Sequence, residues 1–243
     1  MRDEILMGLK DLYSGLFTDE RHFTYLYGTQ AYGIEGNTSD LDLVTVVKYI
    51  NPAKLNMLVA CIIDMHKKYS LEIDNEVPYD RKLITTFDMM SRAVEGRGFH
   101  YEDGVVIIPE LKKTKKYLLS DELMHRLLLN TITGKSLLIS GDEHLFNKYR
   151  DEGWDTMLKV MFNIHNQSLT VPGFVDKMIC SNNREGESYM GYKDKSLVRV
   201  YLNGEVARRL GGYHKKGLLM KRKNDDYMPR DESFMILPKW RKQ

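Results

Sequence analysis

Asp40 and Asp42 flank Leu41 where a polar turn, IEGNTS, gives way to the β-branched run LVTVV. Side chains at i and i+2 of an extended chain leave the same face, so the two carboxylates aim at one point while Leu41 and Leu43 point away. Such a pair repels itself unless a cation lies between, and hard oxygen donors with room for water and phosphate suit Mg²⁺. An Asp-x-Asp pair also occurs in ordinary turns and in metal sites of unrelated glycosyltransferases, so its surroundings decide its meaning. Gly28 and Thr29 stand 12 and 11 residues before Asp40, where an aromatic and β-branched segment stops. A glycine in that turn lets a ligand approach the backbone, the turn offers N–H groups to an anion, and the Thr29 hydroxyl adds a donor. A phosphate cradle thus precedes a metal pair. Further on, YSLEIDNEV places Glu72, Asp74 and Glu76 opposite Leu71, Ile73 and Val77. Asp74, in the middle of that stretch, is the favoured third carboxylate, with Glu76 and Glu72 as alternates. The bland reading is a solvated strand face, which is how most alternating charges arise.

Residues 26–43, LYGTQAYGIEGNTSDLDL, resemble the signature of the nucleotidyltransferase superfamily with the DNA polymerase β type of catalytic core. That signature is Gly-Ser, a gap of about ten residues, Asp-x-Asp or Asp-x-Glu, then a third carboxylate on a later strand. Here Thr29 stands where serine is usual. The resemblance implies Asp40, Asp42 and Asp74 as catalytic residues and ligands of two Mg²⁺ ions, with Mn²⁺ as a substitute. It implies Gly28, Thr29, Ser39 and Lys193 as nucleotide-binding residues. The reaction would be attack on the α-phosphorus of an NTP, ATP being the family's commonest donor, with loss of pyrophosphate. The expected acceptor is a hydroxyl of a small molecule, as in antibiotic-modifying members. The same chemistry on an RNA end or a protein side chain is the second reading, and a non-catalytic nucleotide-binding regulatory module the third. SGDEHLF at 140–146 and YMGYKDKSLVRVYL at 189–202 resemble later segments of small-molecule members, which would turn Lys193, Lys195 and Arg199 to the triphosphate.

The elements that must position these groups follow from periodicity. Ile5, Leu6, Leu9, Leu12 and Leu16 recur at helical spacing and predict an amphipathic helix over 3–17. His22–Tyr27 reads as a strand, TQAYGI as the start of a short helix, and Asp42–Tyr49 as a strand buried on both faces. Pro52 opens a helix whose apolar stripe reaches His66, and Tyr69–Val77 alternates as a strand should. Ile84–Val94 reads as helix, 105–108 as a small strand, and 120–133, 143–162 and 196–210 as helices. The fold class expected is α/β (α+β), with a polymerase β-like core carrying a short mixed sheet and a mainly helical C-terminal domain. The expected division is 1–115 catalytic, 116–210 helical and 211–243 a basic tail.

Composition adds little in bulk: 42% hydrophobic, 29% charged and a net charge of +2 describe an ordinary globular chain. The distribution is uneven, because residues 207–243 hold 11 Lys/Arg against 4 Asp/Glu, leaving 25 against 30 before them. Lys215, Lys216, Lys221, Arg222 and Lys223 would be the phosphate contacts if RNA were the acceptor. Cys61 and Cys180 form no spacing motif, and the chain opening MRDEILMG lacks a signal-peptide pattern. No uncharged run approaches the roughly 18 residues of a membrane span, so a cytoplasmic protein without membrane partners is expected. The seven histidines make no ligand pair at helical spacing, which disfavours zinc. Gly96-Arg97-Gly98 and Gly211-Gly212 are read as turns.

Overall fold

In α1 (Arg2–Leu16) the buried residues are Ile5, Leu9 and Tyr13, one stripe at helical spacing, and Phe17 follows them into the core. The computed structural model describes residues 2–34, 39–73, 83–102, 105–107, 120–164, 168–180 and 196–237. It is a mixed α/β structure grouped into two compact units, Met1–Arg92 with Thr131–Asp151, and Ala93–Asn130 with Glu152–Gln243. The first unit therefore takes back residues 131–151 from beyond the boundary expected near 115.

The first unit is built on a four-stranded mixed sheet of order β3-β2-β1-β6. β1 (His22–Leu26) pairs antiparallel with β2 (Leu43–Val47), Leu26 opposite Leu43 and His22 opposite Val47. β3 (Ile84–Thr86) runs parallel to β2 with Thr45 beside Ile84, and β6 (Leu137–Gly141) runs antiparallel to β1. Every residue of β1 and β2 is buried, as the apolar β-branched run predicts for strands covered on both faces. On one face lie α1 and α3 (Pro52–Tyr69), whose Leu58 and Ile62 join Ile5, Leu9, Tyr13, Leu26, Leu41 and Leu43 in one core cluster. On the other, Phe23 and Tyr25 meet Phe87, Phe146 and Tyr149, with ring centroids about 6 Å apart as offset aromatic contacts require. Phe87 opens α4 (Phe87–Val94), and Phe146 and Tyr149 lie in the first turns of a long helix, residues 143–164.

Two local expectations are corrected. Helix was expected from Ile84, but Ile84, Thr85 and Thr86 are β-branched and extend beside β2, with the Thr45 N–H donating to the Leu83 carbonyl at 2.9 Å, so helix begins only at Phe87. The strand expected from Tyr69 does not start there: α3 continues to Tyr69 and closes on Ser70 in the left-handed region, φ 53°. Beyond it Leu71 is buried, Glu72 and Ile73 are both exposed, and none of the three is in a strand; residues 74–77 lie outside the described residues.

The second unit contains the hairpin β4 (His100–Glu102) with β5 (Val105–Ile107), then α5 (Asp121–Thr133), most of which belongs here. The remainder of α6 (Glu143–Ile164) follows, then α7 (Val171–Cys180) and α8 (Ser196–Lys215). Trp154 is fully buried, stacked on Phe174, with the Arg209 guanidinium 5.2 Å from its ring centre. The segment expected as a basic tail is folded as far as Leu237, the last described residue. α8 runs through Gly211-Gly212, which are not a turn, and is followed by a hairpin, β7 (Leu219–Lys221) with β8 (Tyr227–Pro229). Asp226 holds that hairpin: the Arg222 guanidinium, then the Ser168 hydroxyl, push its carboxyl down to about 2. Lys221 pairs with Asp225 at 2.8 Å, so two of the five cations expected to meet RNA, Lys221 and Arg222, are already paired with carboxylates. Among the described residues no helix is long and apolar enough to cross a membrane.

Candidate active site

The geometry around Asp40 and Asp42 begins with the end of the β1–β2 ladder. Past the last strand pair, the Tyr27 N–H still donates to the Asp42 carbonyl at 2.9 Å, which holds the Gly28 turn against the start of β2. Gly28 has φ +74°, a conformation that costs an L side chain about 1–2 kcal/mol. A Cβ placed on it would lie 2.1 Å from Asp42 Oδ2 and 2.9 Å from its Cγ. The Asp42 carboxylate therefore lies directly on the glycine Cα, and the two halves of the sequence motif, 14 positions apart, are in contact.

From Gly28 the chain forms the five-residue α2 (Gly28–Tyr32), closed by Gly33 at φ 71°, with the Arg2 guanidinium donating to the carbonyls of Gln30 and Ala31. α2 is too short to contribute a macrodipole; what it offers is N–H groups of a single turn. The Thr29 and Ser39 hydroxyls are hydrogen-bonded to each other, and the Gln30 amide donates to the Ser39 carbonyl at 3.4 Å. Both hydroxyls are partly exposed, as are Asp40 and Asp42, whereas Leu41 between them is fully buried in the core cluster. Four oxygen-bearing side chains are thus partly exposed around the Gly28 turn and the start of β2. Burial alternates over Asp40, Leu41 and Asp42, and β2 itself starts one residue later than expected, at Leu43.

Of the nucleotide-binding candidates, Gly28, Thr29 and Ser39 come together beside the Asp40–Asp42 pair, and Lys193 lies outside the described residues. Of the third-carboxylate candidates, Glu72 is exposed just beyond the end of α3, and Asp74 and Glu76 lie outside the described residues. β3, the strand next to β2, carries no carboxylate in Ile84–Thr86. Among the described residues no group of three or more His, Cys, Asp or Glu side chains is arranged to hold a metal ion. The donors that are present, two carboxylates and two hydroxyls, are all hard oxygen and fit Mg²⁺ or Mn²⁺ rather than a soft metal.

Sequence reasoning did not anticipate how the pair is held from behind. Leu41 precedes the ladder, and its buried N–H donates at 2.9 Å to Nε2 of His66, a fully buried residue of α3. The SGDEHLF segment also has a different place from that expected: Ser140 and Gly141 end β6 in the sheet, and Asp142 caps α6, accepting the Leu145 N–H at 2.9 Å. That bond, followed by the Arg21 guanidinium at 3.2 Å, holds the Asp142 carboxyl below its ordinary range. The chain matches no family model, no curated protein and no solved structure.

Proposed function

We propose that the Gly28–Asp42 edge is a metal-assisted phosphoryl-transfer site, and that the protein is a nucleotidyltransferase. It would move a nucleoside monophosphate, AMP in the first instance, from an NTP to a hydroxyl of a small-molecule acceptor. The observation that carries this reading is the contact of the Asp42 carboxylate with Gly28, because it joins the glycine turn to one carboxylate of the Asp40–Asp42 motif.

Each group then has a defined task. Asp40 and Asp42 supply the carboxylate oxygens that would hold Mg²⁺, with a third ligand from Glu72, Asp74 or Glu76. Bound there, the cation would neutralise phosphate charge and stabilise the attacking and leaving oxygens of an in-line displacement. Gly28, lacking a side chain, makes room for the Asp42 carboxylate beside a turn whose N–H groups would meet the phosphates. Thr29 and Ser39, whose hydroxyls now satisfy each other, can each rotate to donate to a phosphate oxygen, so the site offers donors that exist before the ligand arrives. In the reaction the acceptor oxygen bonds to the α-phosphorus, the bond from that phosphorus to the bridging oxygen breaks, and pyrophosphate leaves. No covalent enzyme intermediate is needed, so the protein's work is positioning and charge stabilisation.

Incubation with each α-labelled NTP, Mg²⁺ and pooled hydroxyl acceptors, following pyrophosphate and label, tests this directly. Label transfer that requires both Asp40 and Asp42 is expected. Pyrophosphate release that survives Asp40→Asn and Asp42→Asn would overturn it.

A further inference from the structure

We infer that His66 is a positioning residue for the Asp40–Asp42 pair, a role that rests on the reading of this edge as a metal site. The imidazole is fully buried and bridges two elements: Nδ1 lies 2.7 Å from the Ile62 carbonyl and Nε2 lies 2.9 Å from the Leu41 amide nitrogen. A carbonyl can only accept and an amide N–H can only donate, so Nδ1 donates to Ile62 and Nε2 accepts from Leu41. This is the arrangement by which outer-shell groups commonly orient metal ligands, except that the partner is the peptide between the ligands.

The location makes the bond consequential. Leu41 lies outside the strand ladder, so its amide hydrogen has no β partner, yet its side chain is in the core with Ile62 and Leu71. His66 satisfies that amide, and its own backbone is fixed because its carbonyl accepts the Leu71 N–H at 2.8 Å. The chain at 40–42 is thereby tied at Leu41 to α3 and at the Asp42 carbonyl to Tyr27. Two backbone anchors, on successive residues and from opposite sides, define the direction in which both carboxylates leave the chain. Neither anchor uses the carboxylates themselves.

The test uses the full chain and Mn²⁺ as probe, its binding followed by the loss of the free-ion electron paramagnetic resonance signal. His66→Leu keeps volume and removes the acceptor, and His66→Gln restores an acceptor near the Nε2 position. The expected result is Mn²⁺ affinity lowered about 10- to 100-fold in His66→Leu, the usual range for outer-shell losses, and largely rescued in His66→Gln. If His66→Leu does not fold, His66→Asn, too short to reach Leu41, replaces it in the comparison with Gln. A folded acceptor-less variant with native affinity, or equal losses in Gln and in Leu or Asn, would overturn the proposal. Asp42→Asn is the control: unchanged Mn²⁺ binding there refutes the metal reading instead. The anchor is then decided by nuclear magnetic resonance in the native chain, where a scalar coupling between the Leu41 and His66 Nε2 nitrogens supports it and absence of that coupling overturns it.

Discussion

The two ends of strands β1 and β2 are both polar and both open, yet they are built in opposite ways. At the far end, Asp19, Glu20, Arg21, Lys48, Tyr49, Ile50, Asn51 and Pro52 line an open depression of about 610 Å³. Its charges are spent on one another at the surface: Lys54 on Glu20, Arg21 on Asp142 at 3.2 Å, and Lys48 over the ring of Tyr49, which is 73% exposed. At the near end the residues are fixed by buried backbone bonds and by van der Waals contact with Gly28. Surface ion pairs are worth little and move easily, whereas a catalytic group must be held by something other than its own charge.

Substitutions can break this contrast or sharpen it. Asp42→Asn should have the largest effect, a loss of about 10³-fold in pyrophosphate release, as expected when the ligand of a catalytic cation is removed. Gly28→Ala should come next, because its Cβ would displace the Asp42 carboxylate: about 10²-fold in rate, with a stability loss of about 1–2 kcal/mol in chemical denaturation. Thr29→Val or Ser39→Ala should raise the KM for the NTP about tenfold, the value of one hydrogen bond to a charged group, with little change in Tm. Asp142→Asn keeps the helix cap and removes only the charge, so its effect is on pH dependence. A carboxyl held below its ordinary pKa stabilises the fold above that ordinary value of about 4 and ceases to do so as pH falls through the lowered one. Tm of variant and native chain should therefore differ at pH 7 and converge in acid. Lys48→Ala and Tyr49→Ala should be the mildest, within about twofold in rate and ±0.5 kcal/mol in stability. A hundredfold loss in either would move the active site to the far end and end the comparison.

Much of the first unit was legible in the sequence because local pattern and tertiary burial agree there. α1, β1, β2 and α3 have the apolar period of what they bury, and Pro52 and Asn51 mark the start of α3 as a first-turn proline and a side-chain cap should. The errors occur where pattern and packing part. YSLEIDNEV alternates, but its first residues complete a helix, and Ile73 ends up as exposed as Glu72 is. β6 was missed because LLISG is a short apolar run between two helical patterns, and only its pairing with β1 makes it a strand. Gly211-Gly212 were read as a turn, but helix α8 passes through them, held by Leu210 and Val206 in the core. As for the candidate site, sequence spacing is what singles out Gly28, Thr29, Asp40 and Asp42, and the fold adds the contact of Asp42 with Gly28. The His66 bond to Leu41 spans 25 positions and has no sequence pattern, so only the folded chain discloses it.

β2 is paired with β1 along its whole length and with β3 from Thr45 onward, so a shift of the strand would have to break pairing along two borders at once. Its amides belong with those that exchange with solvent only in rare, extensive openings of the chain. The Gly28–Gly33 turn has no such double border. Any adjustment to an arriving ligand would then fall to that turn, with the carboxylates serving as the stationary jaw of a vice whose other jaw moves.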